Sequence, residues 1–418
     1  MTHGRCSRQG GAALFITYDG LLDPLGGSQI LPYLFSIADH PRPLHIISFE
    51  KPARFSDGGE LLRHDLACRG IAWTPLSYTS RLGKLGKVWD LLKMYCTAWW
   101  LQARQRFGIA HCRSYQAMQV GCFLQRITGI RTIFDMRGLW VDDRVDRGVW
   151  PQDKWFYRVL YHYYKRTERH LLECADSVVV LTEQVVSEIG KIAPRMHAPV
   201  TVVPCCADFD HFKNLNSEQR RSVRSELGIG PDALVLSYLG SLGAVYLLNE
   251  MLALFEVLAR KRDDVYLLLI TRDWTEAQET DLVKLGLVDL RHRIQVRSAS
   301  RDEVPRFLGA SDVMLNFINS TYSMKACSPT KMAEAIAMGV PVISSSGVGD
   351  VEAITNELNA GIVIDLDSAR ALEKAGAEID AVLEKGGEQL RLAATERLGL
   401  DNAKRAYRKV YEELECRE

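Results

Sequence analysis

Short runs of four to seven apolar residues alternate with stretches of helical periodicity along almost the whole chain. Strands that are apolar throughout are buried on both faces, and a helix between each pair supplies the crossover that parallel strands need. The pattern therefore predicts α/β architecture built from βαβ units. Strand-like runs fall at residues 14–18, 44–49, 109–113, 132–135, 177–181 and 200–203. A polar stretch at 213–224 interrupts them. The pattern then restarts with runs at 233–239, 265–271, 313–317, 341–344 and 361–364. The restart predicts two doubly wound, Rossmann-like sheets, with domains at 1–204 and 205–396. A last helix over 397–418 puts Ala403, Ala406, Tyr407, Val410, Tyr411 and Leu414 on one side, a face expected to pack back across the first domain.

Composition removes several classes of function. The 418 residues carry 52 Lys plus Arg against 52 Asp plus Glu, a balance unlike that of a protein built to grip a nucleic-acid backbone. None of the ten cysteines forms a CxxC, and no paired Cys/His spacing suits zinc, so they read as reduced thiols of a cytoplasmic protein. No stretch reaches the roughly 18 apolar residues that span a bilayer. The polar, Gly-rich start, residues 1–11, lacks the apolar centre of a secretory signal.

Doubly wound sheets bind ligands beyond the carboxyl ends of their strands. Four segments there hold candidate site residues. After the first strand, Gly26-Gly27 forms a turn before a helix from about Ser28, where backbone amides can approach an anion or simply cap a helix. The strand 132–135 ends in Asp135-Met136-Arg137-Gly138, a carboxylate and a guanidinium that either act in catalysis or form a structural ion pair. The first strand of the second domain runs into Gly240-Ser241-Leu242-Gly243, and Arg272 follows the next strand. The fourth segment runs Lys325-Ala326-Cys327-Ser328-Pro329-Thr330-Lys331-Met332-Ala333-Glu334 and on to Gly339. Here Ser328 suits an N-cap, Pro329 the first turn, and Gly339 a left-handed stop. Glu334 can hold two vicinal hydroxyls, and Lys325 and Lys331 can hold phosphate.

This last segment resembles the nucleotide-sugar site of the family-four retaining glycosyltransferases of GT-B fold. Other parts agree in the same order: the Gly26-Gly27 element, the Asp-x-Arg-Gly-x-Trp run, the Gly240 turn, and Pro204-x-x-x-Asp208-x-x-x-Phe212 between the domains. The resemblance implies two domains facing a central cleft, the second binding a nucleotide sugar and the first an acceptor, with closure excluding water. It implies transfer of the sugar to a glycan or lipid-linked acceptor, as in bacterial polysaccharide or glycoconjugate biosynthesis. Glu334 matches the second Glu of the family's Glu-x7-Glu pair, the one that holds the ribose. The first falls at Ala326, so backbone amides near Cys327 and Ser328 are expected to replace it. Gly26, Gly27, Gly240, Arg272, Lys325, Ser328, Thr330 and Lys331 make up the rest of the donor site. Asp135 falls where many relatives carry an active-site His, with Arg137 keeping it ionised. His111, at the end of its strand, is a weaker acceptor-side candidate. Two other readings stay open: a sugar-nucleotide epimerase of the same fold, and a non-catalytic sugar-binding scaffold.

No cofactor or metal is expected. The matches Asp208-Phe209-Asp210 and Asp365-Leu366-Asp367 are explained by the interdomain segment and a strand end. Two aromatic-basic stretches, 84–106 and 155–169, read either as core-facing aromatics with a solvated basic face or as a dock on the inner membrane surface.

Overall fold

A computed structural model describes residues 11–38, 43–79 and 83–416. Residues 1–10, most of the polar start, lie outside that set. The chain divides into two compact units: Met1–Val145 with Trp150–Val203 and Ala403–Glu418, and Asp146–Val149 with Pro204–Asn402.

The first unit is a parallel seven-stranded sheet of β1 (Ala13–Thr17), β2 (Leu44–Glu50), β3 (Ile71–Ser77), β4 (Ile109–Arg113), β5 (Arg131–Asp135), β6 (Ser177–Val180) and β7 (Val200–Val202), ordered β3-β2-β1-β4-β5-β6-β7. Every residue of β1, β2, β4 and β6 is buried, which is why apolar residues dominate these strands. β3 is an edge strand with Pro75 within it and only two buried residues, and the sequence pattern does not reveal it. The final helix, Leu400–Cys416, buries Ala403, Tyr407, Val410, Tyr411 and Leu414. Tyr33 and Tyr407 meet edge to face, 6.0 Å between ring centres, so this helix completes the first unit as expected.

The second unit is a parallel six-stranded sheet of β8 (Leu234–Leu239), β9 (Val265–Ile270), β10 (Ile294–Arg297), β11 (Val313–Asn316), β12 (Val342–Ser345) and β13 (Gly361–Ile364), ordered β10-β9-β8-β11-β12-β13. Side chains alternate between its two cores. Leu234, Leu236 and Tyr238 point to one layer, Val235 and Leu239 to the other. The short edge strand β10 also escapes the sequence reading.

In both sheets the strand order reverses once, between β1 and β4 and between β8 and β11. Ligands of doubly wound sheets collect beside such reversals, at the carboxyl ends of the strands.

Candidate functional site

Two strands of the first unit, β4 and β5, end in charge beside the reversal. In the register of the sheet, Arg113 lies between Thr17 of β1 and Asp135 of β5. Asp135 is 2% exposed, and both its oxygens are engaged. Oδ1 meets Arg137 Nη1 at 3.4 Å. Oδ2 meets Arg113 Nη1 at 3.5 Å, His111 Nε2 at 3.7 Å, and accepts from Tyr407 Oη at 3.3 Å. Burial alone would raise its pKa, but Arg137, His111 and Arg113 outweigh that and hold the carboxyl well below the usual range. Burial pushes the Tyr407 hydroxyl far up, so it stays a donor. Asp135 and Arg137 therefore do pair, but as part of a larger cluster. Arg113 Nε reaches Asp19 at 3.6 Å, and Arg137 Nη2 donates to Gln29 Oε1 at 3.3 Å.

His111 is not at a strand end. It is the middle residue of β4, 1% exposed, with Nδ1 2.9 Å from Tyr411 Oη and its ring edge against Phe15. Enclosed in this way it is a supporting group of the cluster and is not positioned to meet an acceptor.

Gly26 and Gly27 do not form a turn either. They lie inside a short helix, Pro24–Gln29, and the Gly27 amide donates to Asp23 O. A Cβ on Gly26 would collide with the carbonyls of Gly20 and Leu21, whereas one on Gly27 would meet nothing. Gly26 thus serves close backbone packing. The loop before it is fastened by Glu50, the buried last residue of β2, which accepts from Leu21 N at 2.8 Å, Leu22 N at 3.2 Å and Ser48 Oγ at 2.7 Å. Neither Glu50 nor Arg113 was singled out from the sequence. The available signal was a charged residue ending an otherwise apolar strand.

In the second unit, Lys331 and Gly240 come together. Gly240 follows β8 with φ 122°, and a Cβ there would lie 2.5 Å from Lys331 Nζ. Lys331 crosses that space, donates to Tyr238 Oη at 2.9 Å, and stands 3.5 Å from the centre of the Tyr246 ring. Burial draws its pKa down to about 7, with Cys327 and Glu334 opposing the shift. Glu334, one helical turn on in the helix Thr330–Ala337, is pushed up to about 7 by burial, partly offset by Arg301 at 3.7 Å and by Lys331. The two candidate groups with the plainest sequence signal are therefore both desolvated, Lys331 against the end of β8, and each feels the charge of the other.

Several details differ from expectation. Ser328 does not cap the helix. Pro329 occupies that position, and the Ser328 hydroxyl accepts from Cys205 N at 3.0 Å. The amides of Gly240 and Cys327 are used internally, donating to Ile270 O and Met324 O, so Gly240 contributes room where an amide was expected. Ala326 is 3% exposed in a 3-10 turn, Tyr322–Ala326, which also carries Lys325 with Nζ 5.0 Å from the Tyr322 ring centre. Thr330 opens the helix, and Gly339 closes the turn after it with φ 68° as expected. Arg272 is exposed just past β9 and donates to Ala299 O at 3.0 Å. In both Asp-x-Asp matches the first carboxylate accepts backbone N–H bonds from residues two or three ahead, which is turn geometry.

Residues 45–206 match the family model described as glycosyl transferase 4-like domain, and residues 233–379 match glycosyl transferases group 1. The chain belongs to the family-four glycosyltransferases. The family uses nucleotide-sugar donors. Spore coat protein SA of Bacillus subtilis (strain 168) is 24% identical over 209 residues, which is 47% of this chain and 54% of that protein. The chain thus matches about half the length of this curated relative. Among solved structures, sucrose-phosphate synthase from Thermosynechococcus elongatus superposes with TM-score 0.73 at 15% identity, covering 98% of this chain and 100% of that one. Anabaena Alr3699/HepE in complex with UDP-glucose gives TM-score 0.68 at 15% identity, covering 96% and 100%. At such identities the likeness is one of fold, and the fold of this glycosyltransferase is GT-B.

Proposed function

We propose that this glycosyltransferase binds a nucleoside-diphosphate sugar beside the end of β8 and transfers the sugar, with retention, to a glycan or lipid-linked acceptor. The observation that carries the reading is Lys331 crossing the space left by Gly240, where the strand order of the second sheet reverses. A lysine desolvated this far gains strongly from a diphosphate, whose charge restores what burial removed. Charge grows on that diphosphate as the glycosidic bond breaks, and a cation already in position stabilises it without reorganisation. Glu334 takes the ribose hydroxyls, while Lys325, Arg272, Ser328 and Thr330 line the approach. With cations supplying the charge, the reaction needs no metal.

In the first unit, Asp135 sets Arg113 and Arg137 in place instead of touching the sugar, because its oxygens are enclosed by those groups and Tyr407. Arg137, whose side chain retains 11% exposure against 3% for Arg113, is the group left to meet substrate.

Binding of UDP and of uridine to the Lys331→Ala protein tests the assignment. Loss of a charge-assisted hydrogen bond should weaken UDP by about 1.5–3 kcal/mol and leave uridine unchanged. Equal losses for both ligands refute it. Glu334→Gln should weaken both. UDP release from UDP-glucose, accelerated by an acceptor and undisturbed by EDTA, is the activity expected. Activity restored only by manganese or magnesium would refute the metal-free reading.

A further inference from the structure

Three helices covering one face of the first sheet leave a broad apolar surface uncovered. Gly83–Gln105 packs against Ser114–Thr128, which packs against Trp155–Cys174. The sequence left open whether their aromatics face a core. Many do not. On the first helix Leu85, Val88, Trp89, Leu92, Trp99 and Trp100 are exposed, and their spacing of three, four and seven makes one outward stripe about 22 Å long. Phe123 and Ile127 continue it on the middle helix. Trp155, at 70% exposure, Phe156, Val159 and Tyr163 extend it on the third. Tyr95 binds the strips together, 5.3 Å from the Phe123 ring and in electrostatic contact with Tyr163.

The charge on this face has one sign. Arg104, Arg126, Arg158, Arg166 and Arg169 are exposed. The same helices hold three acidic residues, of which Asp90 and Glu168 are buried and only Glu173 reaches partly to solvent. No helix among the described residues is long and apolar enough to cross a membrane. We propose that this three-helix face docks flat on an anionic lipid surface, the tryptophans entering the headgroup boundary and the cations resting on the phosphates. The charge pattern selects this occupant. A second copy seated on the same face would set like charges against each other around a two-fold axis. A bilayer with anionic headgroups complements both the apolar stripe and its cations.

Co-sedimentation of the full chain with vesicles tests the proposal, comparing phosphatidylcholine alone with phosphatidylcholine containing phosphatidylglycerol, at low and high salt. Binding is expected to the anionic vesicles, with tryptophan emission shifted to the blue, and to weaken as salt screens the cations. Trp99→Glu combined with Trp155→Glu should weaken partitioning more than about tenfold, and each of Arg158→Glu and Arg166→Glu by about fivefold or more. Melting temperature and UDP affinity should be unchanged in all of them. No binding to anionic vesicles at low salt overturns the proposal, as does equal binding by the Glu variants. A dimer in sedimentation velocity that those variants abolish, without vesicle binding, assigns the face to a second copy instead.

Discussion

The two units place buried charge at the same topological position and treat it in opposite ways. Beside β1 and β4, Asp135 is surrounded by Arg113, Arg137, His111 and Tyr407, and its carboxyl is held ionised despite burial. Beside β8 and β11, Lys331 and Glu334 are also desolvated, but their partners are few and burial drives each towards its neutral form. The first cluster pairs its charges with one another and so holds the protein together. The second has fewer charged partners and keeps more of its electrostatics for a ligand. The first should therefore fail as a loss of stability, the second as a loss of affinity.

The largest effect expected is at Asp135. Asp135→Asn leaves two enclosed guanidinium groups without their carboxylate, and breaking a buried ionic arrangement from one side costs about 3–5 kcal/mol. Urea denaturation of the variant checks this. A normal unfolding midpoint together with turnover reduced by orders of magnitude would break the contrast, and would return Asp135 to direct contact with the reacting sugar. Lys331→Met is the complementary case. It removes a desolvated amine, so the free protein should be at least as stable as the parent, while UDP affinity falls by about 1.5–3 kcal/mol. A loss of stability as large as that at Asp135 would mean that the two sites are built alike.

The pH dependence of unfolding separates them next. The folded pKa of Asp135 is depressed, so its contribution is present above the ordinary aspartate value and is lost as pH falls below about 4. Lys331, an amine whose folded pKa is also lowered, has the same sign in a higher pH window. Between about 7 and the usual lysine value the unfolded chain binds a proton that the folded chain lacks, so stability rises with pH. Glu334 holds a proton in the folded chain up to about pH 7 that the unfolded chain has lost, so stability falls as pH rises towards 7. Each slope is bounded by about 1.4 kcal/mol per pH unit. Lys331→Met should flatten the alkaline arm and Glu334→Gln the mildly acidic one. Arms that persist in both variants would place the titration elsewhere.

The smallest effect expected is at Ser114, which directly follows Arg113 at the first reversal with φ 72°, a conformation unfavourable for a residue with a side chain. Ser114→Gly should stabilise the first unit by up to about 1 kcal/mol, read as a raised unfolding midpoint. No gain would show that the serine side chain offsets its own backbone strain.

What the sequence revealed follows from how each feature is encoded. Strands buried on both faces are apolar throughout, so the inner strands of both sheets, and with them the α/β class, stand out. β3 and β10 lie at edges, where half the positions can be polar and Pro75 does no harm. The Lys331–Glu334 segment is local, one helix and its approach, and a single stretch of chain displays it. The Asp135 cluster is assembled from β4, β5, the loop after β1 and a helix nearly 300 residues later, so Asp135, Arg137 and His111 could be singled out one by one, while Arg113 and the meeting of these groups with Tyr407 could not. Ser328 looked like a cap because the residue type suits one. Its hydroxyl goes instead to Cys205, a choice made by tertiary packing.

The closing helix has a consequence for how the protein is made. Tyr407 and Tyr411 reach Asp135 and His111 across 272 and 300 residues of sequence. On a ribosome, the first unit waits for its last layer while the roughly 200 intervening residues are added, about 10–40 s at ordinary elongation rates. During that interval its buried charge cluster lacks the two tyrosines, and the surface that the helix later covers is open to chaperones. A nascent chain arrested before residue 403 should therefore hold a first unit that is loosely closed, even though every one of its strands has already been synthesised.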